Sequence, residues 1–413
     1  MDTVLRMLLP VVWFSCLPLQ AQWLQFGGPN RDFTSSETGL LDKWPETGLK
    51  PLWETHLNGN YASILVDGDA IYSMFKGAEN EEMVASLNAR DGRIRWQKAF
   101  VVPEPPEKTM LNFGRGPNTT PLIQGDRILA ASFLGRLWCL NKHTGELLWS
   151  LDLVEELGAK YHTFGYSISP LTYGNTVLVA TGGPHGMVAL SWADGSVLWK
   201  SATIDVSYAA PILIRIDGQE QVVLVASTEV VGLSPTDGRI YWRYPHANVN
   251  KNNCAQPLWG DDQRLFLSSH DDGGARVLQL SRAEGKTRVT ELWHRPEIKF
   301  FHTASIRAGD YVYGSSGTWP PTFLMAIHLP TGKIHWRARG YNKANLLRAD
   351  DKMIVLDEDG KLTLARMNQE QMTVISSFQP LEKTAWAPPT LTDGILYIRD
   401  QSKVMAFDLR RRP

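Results

Sequence analysis

Apolar and polar residues alternate with a period of two over short runs, and polar turns close each run. The pattern is clear at Val197 and Trp199 and at Ile240 and Trp242, and it marks half-buried strands. Other runs are continuously apolar and rich in β-branched residues: Ile128–Ala131, Val177–Ala180, Val222–Val225, Leu265–Leu267 and Tyr311–Tyr313. Turn pairs such as Gly125-Asp126, Gly174-Asn175 and Gly309-Asp310 precede several of them. No segment sustains a helical period beyond two turns, and the best, Leu151–Gly158, is short.

The runs recur as one phrase. It reads LNARDGRIRW at Leu87–Trp96, LNKHTGELLW at Leu140–Trp149, LSWADGSVLW at Leu190–Trp199, LSPTDGRIYW at Leu233–Trp242 and IHLPTGKIHW at Ile327–Trp336. A stretched copy ends at Trp293, and an isolated last strand ends at Trp53. Each phrase is a β-hairpin: an apolar strand, a turn with Asp-Gly or Thr-Gly, and an alternating strand up to the tryptophan. Glycine suits the turn because it takes positive φ without steric cost. A second pair of strands, opening near Pro121, Pro170, Pro211 or Pro257, completes a four-stranded antiparallel unit. Self-similarity at this period predicts a propeller.

Eight units are expected. Seven end in order at Trp96, Trp149, Trp199, Trp242, Trp293, Trp336 and, degenerately, Phe378. The eighth is split: Trp386–Leu409 supplies three strands, and Lys50–Glu54, around Trp53, supplies the fourth. The expected fold is therefore an all-β, eight-bladed propeller closed by the N-terminal strand, which removes two open sheet edges. The seven tryptophans (53, 96, 149, 199, 242, 293 and 336) are expected to pack between blades as architecture. The expected organisation is a signal peptide at 1–21, an N-terminal extension at 22–48, the propeller at 49–409 and a basic tail at 410–413.

Composition narrows the setting. The 413 residues carry a formal net charge of −1 with no basic or acidic block, which argues against nucleic acid and anionic membranes as partners. Arg6, the apolar stretch Met7–Leu19 and Ala21 read as an export signal, too short to span a bilayer comfortably. The expected location is periplasmic or secreted, with no transmembrane span after signal removal, as a monomer. Trp13-Phe14-Ser15 before Cys16 is a poor lipobox, so lipid anchoring there is not expected. Cys139 and Cys254 fall on blades two and five, too far apart for a disulfide, and are expected as free, buried thiols.

Strand parity puts both short turns of each blade on one face, the bottom, and the variable connections on the other, the top. Aligning the inner strands sets one residue per blade at the channel mouth: Tyr61, Asn118, Ser167, Tyr208, Cys254, His302, Lys343 and Trp386. Arg115, His162, Tyr166, Asn252, Asn253 and Asn345 lie beside them. This ring suits a polar ligand; the plainer expectation is a water-filled channel. Two long connections, Lys98–Pro117 and Ser150–Tyr166, are expected to form a lip over blades two and three. His270–Gly274 reads as a loop rather than a metal site. Asp357–Gly360 falls short of a calcium loop, and Gly182–Gly186 lacks the helix a phosphate cradle needs. A Ser/His/Asp set stays open, because the histidines scatter.

The phrase Leu-x-x-x-(Asp/Thr)-Gly-x-(Ile/Val/Leu)-x-Trp resembles the tryptophan-docking repeat of pyrroloquinoline-quinone (PQQ)-like propeller proteins, from about Trp53 to Leu409. The opening Trp23–Asp32 and Glu37–Pro45 resembles the start of exported members. The resemblance implies one of two functions. In the BamB-like branch the propeller is a non-catalytic scaffold, here for an envelope or extracellular protein or polymer, and no cofactor or metal is expected. In the quinoprotein branch it is an oxidoreductase acting on an alcohol or sugar with PQQ and calcium. Trp386 would then stack on the cofactor while Arg115 and Lys343 meet its carboxylates. The chain lacks the adjacent cysteines of those enzymes, which makes the scaffold the leading expectation.

Overall fold

A computed structural model describes residues 22–411 apart from 60, 113, 161, 162, 318 and 320. The expected signal peptide with Cys16, the last two tail residues and His162 lie outside the described residues. Eight antiparallel sheets form the eight-bladed propeller. Blade 1 holds Leu65–Asp67, Ala70–Lys76, Glu81–Asn88 and Ile94–Val101. Blades 2 to 7 repeat the arrangement up to Met372–Phe378. Blade 8 is Thr390–Thr392, Ile395–Arg399 and Lys403–Asp408, completed by Trp53–His56. Trp53 pairs with Ala406 and His56 with Lys403, so closure joins the two ends of the chain. The closing strand lies a few residues beyond the expected Lys50–Glu54.

The repeated phrase is a docking device. Gly92, Gly145, Gly195, Gly238 and Gly332 all have φ between +70° and +76°. A Cβ on any of them would lie 2.5–2.8 Å from the indole of the preceding blade's tryptophan. Glycine is thus required twice, for the turn and for the ring laid over it. Each indole N–H then donates to a backbone carbonyl in that turn. Trp53 reaches Ala89 (3.0 Å), Trp96 Lys142 (2.9 Å), Trp149 Trp192 (3.1 Å), Trp199 Pro235 (3.3 Å) and Trp293 Leu329 (2.7 Å). Trp336 does the same to Asn368 at 2.9 Å, over a turn without glycine. One side chain therefore buries apolar area between blades and satisfies its polar atom.

Two blades depart from this. Blade 5 has an extended outer hairpin, Gly274–Ala283 with Lys286–Arg295. Trp242 instead covers Gly232 of its own blade and donates to Gln221 Oε1 at 2.8 Å. In blade 7 the outer-strand bulge sets Leu364 opposite Ser376 and Ala365 opposite Val374. The tryptophan position is therefore Ser376, not Phe378, because the comparable bulge in blade 3 sets Ala189 opposite Trp199.

The N-terminal segment fills the lower end of the channel. Gln22–Trp23 adds a fifth strand to the inner edge of blade 1, against Val66 and Asp67. Ile123 of blade 2 donates its N–H to Leu24 O at 2.9 Å. The chain turns at Gly27 and Gly28, both near φ +78°, and sends Arg31 to Pro170 O (2.9 Å) beside blade 3. Gln256 of blade 5 holds Arg31 O. Phe33, 1% exposed, packs with Ala304, Ile306 and Leu346 of blades 6 and 7. The Glu37 carboxylate accepts from Asp393 N and Gly394 N of blade 8 at 2.8 and 3.1 Å. Finally Leu41 N donates to Leu409 O (2.7 Å) and Arg411 N to Gly39 O (2.9 Å). Arg31 is buried without a carboxylate partner among the described residues, and burial lowers its guanidinium to about 9.

Candidate functional site: the upper mouth

With the bottom closed, the open end is the face bearing the connections between blades. A belt of side-chain bonds fixes its rim. Thr120 Oγ1 accepts from Ser63 N, Ser169 Oγ from Thr120 N, Ser207 Oγ from Asn253 N and Asn345 Oδ1 from Ala304 N, all within 2.7–3.0 Å. Thr390 Oγ1 donates to Ile64 O at 2.7 Å and closes blade 8 onto blade 1. Of the neighbouring residues, Asn253 also binds Ala226 O and His246 O, Asn345 binds Trp386 O, and Tyr166 binds Ala180 O. Asn252 is buried beneath Asn248. These groups set the spacing of the inner strands.

The predicted mouth residues fall into two clusters. Over blades 2 to 5, Phe164 N donates to Tyr208 Oη at 2.8 Å, and Asn118 Nδ2 donates to Phe164 O at 3.4 Å. Ser167 is half-buried nearby in sequence, and Cys254 turns its thiol to Asn252 Oδ1 at 2.9 Å. Both cysteines are free; Cys139 is fully buried and Cys254 half-buried. Burial pushes both thiols up, Cys139 to about 11, which makes them poor nucleophiles.

Over blades 6, 7, 8 and 1 the cluster is aromatic. Trp386 meets Tyr61 at 4.8 Å and 33°, and His302 at 4.8 Å and 59°. Tyr61 Oη accepts from Gln401 Nε2 at 2.5 Å. Lys343 Nζ donates to Glu358 Oε2 at 2.7 Å, and Trp386 Nε1 shares that oxygen at 3.0 Å. Burial, then the charge of Lys343, lowers His302 to about 3, so its imidazole is neutral at physiological pH. Sequence reasoning missed Glu358, which lies in the Asp357–Gly360 turn. The clue was parity: this turn joins the second and third strands of its blade and so belongs to the top face.

Arg115 stands apart from both clusters. It pins the first long connection, donating to Glu104 (2.7 Å), Asn80 (2.8 Å), Val102 O (3.1 Å) and Pro103 O (2.7 Å). The second connection contains a short helix, Leu153–Leu157, capped by Asp152 and by Gly158 at φ +66°. Both loops converge on buried Phe133. A Cβ on Gly116 or Gly165 would come within 2.7 or 2.5 Å of that side chain. Phe133 N in turn donates to the buried carboxylate of Glu82 at 3.0 Å, which burial raises to about 8.

Among the described residues no three His, Cys, Asp or Glu side chains converge to hold a metal, and no helix is long and apolar enough to cross a membrane. Residues 80–338 match the family described as "Outer membrane protein assembly factor BamB". Outer membrane protein assembly factor BamB of Yersinia pestis is 24% identical over 285 residues, spanning 64% of this chain and 64% of that protein. BamB from Moraxella catarrhalis superposes with a TM-score of 0.61 over 87% of this chain and 99% of that one, at 17% identity. A europium-containing methanol dehydrogenase superposes with a TM-score of 0.68 over 92% and 89%, at 12% identity. At such identities the structural likeness speaks for the fold alone. The repeat, its docked tryptophans and the matched span together make this chain a member of the PQQ-like repeat propeller family described as outer membrane protein assembly factor BamB.

Proposed function

We propose that the protein is an exported, non-catalytic propeller scaffold that presents its upper face to an envelope component. The observation that carries this reading is the state of the two ends of the channel. The lower end is filled by the protein's own residues 22–41, and at the upper end Lys343 and Arg115 are already paired with carboxylates. A quinone with three carboxylates needs free cations. Here Lys343 is neutralised by Glu358 and Arg115 by Glu104. This donor set does not fit PQQ. The name of the relatives, an outer membrane assembly factor, supports an envelope role, and the leader-like first 21 residues support export.

The lip is the proposed contact surface, since it is the largest departure from the repeat. The test is capture from envelope extract by the mature chain. Replacing residues 104–112 with a Gly-Ser linker should abolish capture while the melting temperature holds. Adding PQQ with Ca²⁺ should leave absorbance, melting and dye reduction with alcohols or aldoses unchanged. Dye reduction on PQQ addition would replace this reading with the quinoprotein one.

A further inference from the structure

The upper mouth is a cup with a floor, and its aromatic half has hydrogen-bonding capacity left over. We propose that this half binds a neutral sugar unit of a glycan; this deepens the scaffold reading and rests on it. The ring surface comes from Trp386, Tyr61 and Trp319. Trp319 is 74% exposed at the rim, and the Lys343 ammonium lies 5.9 Å from its ring and 5.4 Å from that of Trp386. A soluble protein seldom leaves so large a ring in water beside other aromatics unless the patch meets something.

The polar groups define what it meets. Both bonds to the Glu358 carboxylate land on Oε2, so Oε1 keeps its acceptor capacity. His302 Nε2 is buried against Trp386 without a partner, an open valence that a buried polar atom rarely tolerates. The formal charges cancel, because Lys343 and Glu358 pair. Among the described residues of this half an anionic ligand finds Lys343 already paired, and a cationic one meets Lys343 over the rings. A pyranose offers what remains: a C–H face for an indole, and hydroxyls that donate to Glu358 Oε1, accept from Lys343 Nζ and satisfy a neutral imidazole in either sense.

The test titrates the mature chain with cellohexaose, laminarihexaose, maltohexaose and chitohexaose, read by calorimetry and tryptophan fluorescence. At least one should bind saturably, with a Kd of ~10 µM to ~1 mM. Trp319→Ala and Glu358→Gln should each weaken it ~10-fold. Trp319 is exposed, so its variant should melt like the parent, which separates lost binding from lost folding. No saturable binding to any of the four up to ~10 mM, or binding undiminished in both variants, would overturn the proposal. So would preference for an acidic oligogalacturonate or for a hydrophobic peptide. Envelope capture through the lip does not use Trp319; capture retained without sugar binding would sink this inference and leave the scaffold reading standing.

Discussion

Six of the blade junctions and the closure seam solve the same packing problem with different parts. At each regular junction a tryptophan on the outer strand covers a turn of the next blade and donates into it. Between blades 7 and 8 no such turn exists, because the third strand of blade 8, Lys403–Asp408, and its fourth, Trp53–His56, are not consecutive in the chain. There the docking position is Ser376, and the N-terminal segment supplies the ring. Trp44 lies edge-to-face with Phe378 at 5.7 Å and 89°, and its backbone N–H donates to Ser376 Oγ at 2.9 Å, while its buried indole N–H has no partner among the described residues. Gly39–Leu41 meanwhile pairs with residues beyond Asp408, standing in for the absent hairpin. A repeat protein can thus drop its motif where another segment restores the buried area, even though the indole hydrogen bond is not replaced.

The comparison is broken most severely by removing the segment that makes the seam. A chain starting at residue 49 loses the burial of Trp23, Phe33, Leu40 and Trp44, each about 2–3 kcal/mol. That total is on the order of 10 kcal/mol, the whole stability of many domains. The truncated chain should aggregate or be cleaved rapidly by protease; a soluble, cooperatively melting product would contradict the account. Next in size, Trp44→Ala and Trp199→Ala should each cost ~3–5 kcal/mol in denaturant unfolding. A negligible effect at Trp44 beside a large one at Trp199 would mean that the seam is not equivalent to a junction.

Glycine substitutions sharpen the same point. Gly145→Ala meets both a φ of +73° and the Trp96 ring at 2.6 Å, whereas Gly125→Ala meets only a φ of +55° with open space around it. The first should cost ~2–4 kcal/mol and the second ~1 kcal/mol. Equal costs would show that the ring does not rest on the turn.

The smallest effect concerns the junction of blades 1 and 2, where the long loops meet. Burial holds Glu82 near 8, above its ordinary value, so the folded state keeps a proton that the unfolded chain releases above about 4.3. Stability should therefore fall as pH rises from about 4.3 to 8. Relative to wild type, Glu82→Gln should gain more in melting temperature at pH 9 than at pH 5. His246 and His302, both lowered to about 3 by burial, act in the opposite sense: the stability tied to their neutral forms is lost as pH falls from about 6.5 towards 3.

The repeat was legible because its period is written in residues that do the packing: glycine under one ring and tryptophan over the next. Closure was legible for the same reason, since Trp53 is a docking residue without its own hairpin. The plug was not. Residues 22–41 belong to no repeat, and their burial comes from contacts with seven different blades, which no local pattern encodes. Ser376 was hidden by a bulge that moves the docking position two residues from the aromatic one. At the mouth, one register picked out Tyr61, His302, Lys343 and Trp386, which the fold brings together. It could not show that Glu358, from a neighbouring turn, joins Lys343 to Trp386. Arg115 was read as a mouth residue from its loop, but its guanidinium turns back to that loop's own carbonyls.

The central claim is that the first described residues are built into the ring as its floor, leaving only the upper face open. Hydrogen exchange of the native mature protein tests this directly. The amides of Phe33, Ser35 and Leu41, which donate to Gly27, Arg348 and Leu409, should exchange only with global unfolding, as slowly as the central strands of the blades. Exchange within seconds at these three amides, while the blades stay protected, would show a segment lying loosely outside an open channel and would contradict the account.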